Sequence, residues 1–235
     1  MRSLQYLMVS MTAASSGAAC GPGGGGPTHD LCASILPGDL VITEIMANPD
    51  GTDTGSEWFE IYNATANPID LVDVRLVASR EDTTGETSHL MSSIVLGAGE
   101  YLVVGDVLPD FLPAHVDYGY GSDLGGLRNT AGRLALLCQT TAIDEVIYPD
   151  VQNGAARGLS GSIAPDYIAN DVLANWCNAT VEFAVGAMGS PGAANENCPG
   201  PQGTCDDGGV LRDVVKPVAG DLVITEYMAD PSAVA

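Results

Sequence analysis

The closely spaced carboxylates of residues 50–57 are the side chains in this sequence that could form a metal site. The segment reads DGTDTGSE and contains Asp50, Asp53 and Glu57. Calcium takes about six to eight oxygen ligands, which carboxylates in a glycine-containing loop can supply. The spacing is not that of an EF-hand loop, and a solvated acidic turn is the more common meaning of such a string. Asp50, Asp53 and Glu57 are therefore candidate calcium ligands, with a plain loop as the alternative.

The histidines and serines give no support for catalysis. His29, His89 and His115 fall in predicted loops or linkers, without a serine or cysteine at a recognisable motif spacing. Residues 158–162 lack the final glycine of a nucleophile elbow, and a dinucleotide-like fingerprint beginning at residue 119 breaks at Leu124. We expect no enzymatic activity, no catalytic residue and no resident cofactor.

Six cysteines are scattered along the chain, without a CxxC pair or a zinc-ligand spacing. This usage indicates disulfides and an oxidising compartment. Cys177 and Cys198 bracket a loop with a Gly-Ser-Pro-Gly turn, and we predict that they pair, which would add about 3 kcal/mol. Cys32 and Cys205 flank the predicted module and are candidates for a second pair. Cys138 lies in a predicted strand and is interpreted as a small buried hydrophobe.

The first twenty residues have the outline of an export signal. Arg2 supplies a positive charge, residues 4–9 are apolar, and small residues lead to Cys20. This arrangement resembles a bacterial lipoprotein cleavage site, in which the cysteine is lipidated. Gly17 stands where a leucine-like residue is usual, so ordinary secretion and a misassigned start stay open. A glycine run after Cys20 predicts a flexible tether over residues 21–37.

The charge balance bears on the possible partners. The chain has 8 Lys+Arg and 30 Asp+Glu, a formal net charge of −22. Such a surface repels phosphate backbones, so nucleic acid is not an expected partner. No apolar run reaches the roughly 18 residues of a membrane-spanning helix, so the expected membrane contact is a lipid on Cys20. The acidic excess suits either cation binding or the solubility of a secreted module.

One string of residues occurs twice. Residues 38–49 read GDLVITEIMANP and residues 220–231 read GDLVITEYMADP. Alternation places Leu40, Ile42, Glu44 and Met46 on one face of a strand that is apolar on both faces and therefore largely buried. The second string is interpreted as the truncated start of a second module over 220–235, after a linker over 199–219.

Further β-branched and alternating runs predict about seven to nine strands in total. These runs include residues 39–47, 57–63, 69–78, 94–96, 100–105, 133–139 and 142–148, followed by a tail over 155–198 with one or two short strands. Residues 79–89 are expected to form a hairpin loop. We predict an all-β fold, an immunoglobulin-like antiparallel β-sandwich, with a jelly roll as the alternative.

An ordered series of motifs resembles the lamin tail domain as found in bacterial secreted proteins. The motifs are ITEIMANP, EWFEIYN, IDLVDVRL, LGAGEYLVV, LRNTAGRLALL, IDEVIY and GSPGAAN. The resemblance covers about residues 38–198, which we take as the module. It implies an immunoglobulin-like sandwich for interaction or surface display, with no catalytic residues to carry over.

The expected function is a non-enzymatic interaction or display module. We expect an exported chain, either a lipoprotein of the outer membrane or cell surface or a secreted protein, that binds an unknown protein or surface polymer and forms no oligomer. One alternative is a calcium-stabilised adhesion or ligand-binding module. The other is an accessory fragment of a secreted hydrolase.

Overall fold

The computed structural model describes residues 31–198 and the backbone strands of residues 204–207 and 210–213. The strands are β1 Leu40–Met46, β2 Trp58–Asn63, β3 Ile69–Asp70, β4 Val74–Arg80, β5 Thr87–Leu90, β6 Val95–Leu96, β7 Tyr101–Gly105, β8 Tyr118–Gly119, β9 Gly132–Cys138, β10 Thr141–Tyr148, β11 Arg157–Leu159, β12 Trp176–Asn178, β13 Glu182–Ala184, β14 Ala187–Met188, β15 Thr204–Asp207 and β16 Val210–Asp213. Short 3-10 helices cover Leu31–Ser34, Pro109–Phe111 and Leu173–Asn175. No helix in this described part is long and apolar enough to cross a membrane.

Two main sheets enclose the core. The larger has the order β12-β11-β1-β2-β7-β8, and its pairs are antiparallel except β7–β8. The smaller is antiparallel with the order β10-β9-β4-β5. Ile42 and Ile61 of the first sheet share one buried cluster with Leu76 and Leu136 of the second. The predicted all-β, immunoglobulin-like sandwich is confirmed.

Strand β1 lies at the centre of the larger sheet, and all of its residues are buried. A bulge between Ile42 and Glu44 changes the face to which successive side chains point. Ile42 and Ile45 therefore both belong to the main core, while Met46 belongs to a second cluster on the outer face. The expectation that Ile42, Glu44 and Met46 share one face is wrong for this reason.

Other predicted strands also differ from the structure. Asp73 has a φ of 65°, a left-handed conformation that divides the predicted strand 69–78 into β3 and β4. Strand β5 overlaps the end of the predicted loop 79–89 and extends one residue beyond it. The sequence did not indicate this strand, because an exposed edge strand needs no apolar alternation. The tail over 155–198 contains the four strands β11 to β14 instead of one or two.

The tail covers the outer face of the larger sheet. Trp58 is 1% exposed in a cluster with Met46 and Val103, against which Phe183 of β13 packs. The rings of Trp58 and Phe183 meet edge to face with centroids 5.9 Å apart. This packing makes the segment that follows β10 part of the same folded unit.

The disulfides differ in part from the expectations. Cys177 bonds to Cys198, the predicted pair. Cys32 bonds to Cys138 across 106 residues, so both the Cys32–Cys205 pairing and the interpretation of Cys138 as a free hydrophobe are wrong. The 3-10 helix before β1 brings Cys32 to the end of β9, where it is buried in the core.

Two of the predicted connecting segments also differ from the structure. Ile35 is buried in the core, so residues 31–37 belong to the module and not to the predicted tether. The predicted linker over 199–219 contains the β15–β16 hairpin. Cys20, residues 1–30 and the second string at 220–231 lie outside the described residues.

Candidate functional site

A cavity of about 610 Å³ lies where β2 begins and β7 ends. We call it the acidic cavity because Asp53, Glu57 and Asp106 line it. The opposite wall is formed by residues 122 and 125–130 of the loop before β9.

The antiparallel pairing of β2 and β7 explains how two of these carboxylates meet. Trp58 is paired with Gly105, so the residue before β2 and the residue after β7 are also neighbours. The backbone N–H of Asp106 donates to the carbonyl oxygen of Glu57 at 2.9 Å. Asp53 lies in the turn before β2, where its carbonyl oxygen accepts from the N–H of Ser56 at 2.9 Å.

Each carboxylate of the acidic cavity accepts one hydrogen bond from a neighbouring loop. The N–H of Leu127 donates to Glu57 Oε2 at 2.8 Å. Asn129 Nδ2 donates to Asp53 Oδ2, and the N–H of Gly55 donates to Asp106 Oδ2, both at 3.1 Å. Glu57 is only 2% exposed, and its Oε1 is buried without a hydrogen-bond partner. The three acids therefore hold the loops together and leave one buried acceptor unmatched.

The electrostatics of the acidic cavity favour a positive charge. Burial raises the pKa of Glu57 to about 8, the Leu127 hydrogen bond opposes this rise, and the negative charges of Asp53 and Asp106 add to it. Burial also raises the pKa of Tyr120, and the charges of Asp106 and Glu57 add to that rise. The Tyr120 Oη is a second buried oxygen without a hydrogen-bond partner.

The three candidate calcium ligands do not all meet. Asp53 and Glu57 share the acidic cavity, whereas Asp50 is exposed and accepts from Asn153 Nδ2 at 3.2 Å. Asp50 also lies against the β13–β14 turn, because a Cβ atom placed on Gly186 would be 2.8 Å from Asp50 Oδ2. Within the described residues, no three side chains of His, Cys, Asp or Glu are grouped so that they could hold a metal ion.

Asp106 is the cavity residue that the sequence interpretation missed. It directly follows the predicted strand 100–105, and Glu57 opens the predicted strand 57–63. The pairing of those two strands, which would have brought the acids together, could not be read from the alternation of either strand.

A pair of carboxylates also lies buried on the outer face of the larger sheet. Glu44 and Glu60 are paired across β1 and β2, and each is 0% exposed. The N–H of Ser190 donates to Glu44 Oε1 at 3.0 Å, and the N–H of Gly192 donates to Glu60 Oε2 at 2.7 Å. Thr43 Oγ1 donates to Glu60 Oε1 at 2.8 Å. We call residues 189–195, which cover this pair, the C-terminal strap.

The strap makes the carboxylate pair structural. Burial raises the pKa of Glu44 to about 7 and that of Glu60 to about 8, and the neighbouring charge of Glu44 adds to the rise at Glu60. All four carboxylate oxygens accept hydrogen bonds from Thr43 or from the strap. A substrate therefore has no access to this pair for acid–base chemistry.

The two described histidines have structural contacts. His89 lies on β5 and not in a loop, with Nδ1 2.8 Å from Asp123 Oδ2 and Nε2 2.8 Å from Tyr118 Oη. It therefore links an edge strand of one sheet to an edge strand of the other. His115 packs against the rings of both Trp58 and Phe183, and burial lowers its pKa.

Comparison with known protein families agrees with the resemblance drawn from the motifs. Residues 34–150 match the family model described as Lamin Tail Domain, a family of non-catalytic immunoglobulin-like domains. The match begins in the first 3-10 helix and ends just beyond β10, so it leaves out the tail and its strap. No curated protein matches the chain.

Proposed function

We propose, from the match of residues 34–150 to the lamin tail domain family model, that this protein is a non-enzymatic interaction module that acts outside the cytoplasm. The family match carries the proposal, because the matched segment includes the smaller main sheet and four of the six strands of the larger one, in a sandwich with no catalytic precedent. The module would bind a protein or polymer of the cell surface through its exterior.

The engagement of the reactive side chains supports a non-enzymatic role. Ser160 Oγ is 2.8 Å from Ser162 Oγ and accepts from the N–H of Cys198 at 3.0 Å. His89 contacts an aspartate and a tyrosine, and Glu44 and Glu60 are sealed under the strap. These groups hold segments of the fold together.

The disulfides support export. Cys32–Cys138 and Cys177–Cys198 join segments at both ends of the module, and such bonds persist in oxidising compartments. In our proposal a lipid on Cys20 anchors the chain, and residues 21–30 form its tether. The repeated string at 220–231 would begin a further module of the same kind.

Saturable surface binding tests the interaction role. Fluorescently labelled full chain is titrated onto intact cells of its source and onto isolated surface polymer, with unlabelled chain as the competitor. The proposal requires saturable binding that the unlabelled chain displaces. Binding that rises linearly with the concentration of labelled chain, and that the unlabelled chain does not displace, would overturn the proposal.

Fractionation tests the anchoring role separately. The full chain and a Cys20→Ser variant are expressed with labelled palmitate, and the membrane and soluble fractions are compared. Label and membrane association are expected for the parent chain and not for the variant. An unlabelled, soluble parent chain would exclude the anchor without affecting the binding test.

A further inference from the structure

We infer that the acidic cavity binds a basic side chain of a partner, with a lysine ammonium group placed at Glu57 and attracted by the charges of Asp53 and Asp106. This inference rests on the proposed interaction function and names the chemistry of the partner at one site. Its first support is the unmatched acceptor. Glu57 is 2% exposed and lines the acidic cavity, yet its Oε1 has no hydrogen-bond partner. A buried carboxyl oxygen without a partner is costly. An ammonium group beside it favours the ionised form of Glu57, so binding lowers the raised pKa of that carboxyl and supplies the missing donor.

The arrangement of the three acids selects the class of cation. Each carboxylate has one oxygen bonded to a loop N–H, which leaves Glu57 Oε1, Asp53 Oδ1 and Asp106 Oδ1 facing no donor that the structure records. These side chains do not converge as a metal-binding group, and about 610 Å³ is far more space than one ion fills. A lysine side chain can fill part of this space with its four-carbon stem, and its ammonium group can donate to one carboxyl oxygen while the other negative charges attract it.

The surroundings also suit a lysine side chain. Gly125, Gly126 and Leu127 also line the acidic cavity, so part of its wall carries no charged side chain and can lie against a methylene stem. The net charge of −22 attracts basic partners over long distances. Charge complementarity is therefore the property that identifies the occupant.

Arg128 is a positively charged residue that lines the same cavity, so the direction of its side chain matters. The N–H of Arg128 donates to Tyr148 Oη at 3.0 Å. Its Nη2 lies 3.6 Å from the position of a Cβ atom on Gly85, beside the β4–β5 turn. The guanidinium group thus reaches toward that turn, while the charged groups that act on Glu57 are Asp53 and Asp106.

Two small probes with the same four-carbon stem test this inference on the full chain. N-acetyl-lysine methylamide carries the ammonium group, and N-acetyl-norleucine methylamide has the same stem without the charge. Amide chemical shifts of the ¹⁵N-labelled chain are followed during titration with each probe. The lysine probe is expected to saturate in the millimolar range, with the largest shifts at Gly55, Leu127 and Asn129. Equal shifts from both probes, or lysine-probe shifts spread over the whole acidic surface, would refute the site.

Variants then assign the binding to the acidic cavity. Glu57→Gln and Asp106→Asn each keep the size of the side chain, and each is expected to weaken the lysine probe about fivefold or more. Asp50→Asn is the matched control, because Asp50 belongs to the same loop but contacts Asn153 instead, and its affinity is expected to be unchanged. An unchanged affinity in both cavity variants would overturn the inference.

A titration with calcium chloride distinguishes a metal ion from a basic side chain as the occupant of the acidic cavity. If calcium chloride shifts the same amides with saturation below 1 mM and displaces the lysine probe, the occupant is a metal ion and the inference is overturned. If the lysine probe does not bind while saturable surface binding persists, only this inference fails and the proposed function stands.

Discussion

Replacing Glu60 with glutamine is expected to remove a large part of the pH dependence of stability. Glu60 is 0% exposed, and its pKa is about 8 instead of 4.5, chiefly because of burial and then because of Glu44. Between these pH values the unfolded chain has lost the proton that the folded chain retains. Stability from this group is thus fully present below about pH 4.5 and is lost as pH rises through about 8.

The structure sets the size of this effect. A pKa raised from 4.5 to about 8 corresponds to an upper limit of about 5 kcal/mol. Glu44 and Glu60 share this pH dependence because their charges repel each other, and we expect about 2 to 4 kcal/mol from Glu60. Glutamine keeps an acceptor for the N–H of Gly192 and carries no charge.

Urea unfolding at pH 5 and pH 8 with the disulfides intact measures the effect. Glu60→Gln is expected to match the parent near pH 5 and to be more stable by about 2 to 4 kcal/mol at pH 8. Glu81→Gln is the matched control, because Glu81 is exposed, and it is expected to follow the parent at both pH values. Equal losses of stability in the parent and in Glu60→Gln between pH 5 and pH 8 would refute the reasoning.

Three further outcomes follow from the contacts of the tail and the disulfides. A chain cut to residues 34–150 is expected to lose cooperative unfolding by circular dichroism, because the outer face of the larger sheet, including Trp58, would be bare; a sharp transition would contradict this. Cys177→Ser is expected to cost about 3 kcal/mol in urea unfolding, and Cys138→Ser more, about 4 to 5 kcal/mol, because the latter bond closes a loop of 106 residues against 21; the reverse order would show that chain entropy is not the main term. Trp58→Ala is expected to cost about 3 to 5 kcal/mol in the same assay, with Val185→Ala at the exposed hairpin tip as a neutral control.

Local patterns predicted the strands of this fold better than its pairings. Strand β1 was expected within one residue at each end, because β-branched apolar residues continue through it. The bulge at Thr43 was not expected, because a bulge shows itself only in the register against a partner strand. The left-handed conformation of Asp73, which separates β3 from β4, was not expected either, since aspartate is common in loops of any conformation.

The candidate site was predicted in part for the same reason. Asp53 and Glu57 are close in sequence and do share the acidic cavity, but Asp106 reaches it only through the pairing of β2 with β7. The bond between Cys32 and Cys138 likewise depends on where a distant segment crosses the sandwich. Contacts at long sequence separation are set by the packed fold, and composition and spacing carry little information about them.

The buried carboxylates have a common role as acceptors for backbone donors from distant segments. Glu44 and Glu60 bind the C-terminal strap, Glu57 binds the loop at Leu127, and Asp144 accepts from the N–H of Ile42 at 2.6 Å. Apolar contacts alone fix such segments loosely, whereas a buried hydrogen bond fixes one atom against another.

This role explains why the same substitution has two different expected outcomes. At Glu60 both carboxylate oxygens are already bonded, so removal of the charge relieves its burial and stabilises the fold at high pH. At Glu57 one oxygen has no donor and the side chain lines a cavity, so glutamine takes away the carboxyl group that a bound cation would hold in its ionised form. A gain of stability in Glu60→Gln together with a loss of lysine-probe binding in Glu57→Gln would separate the acids that hold the fold from the acids that recognise a partner.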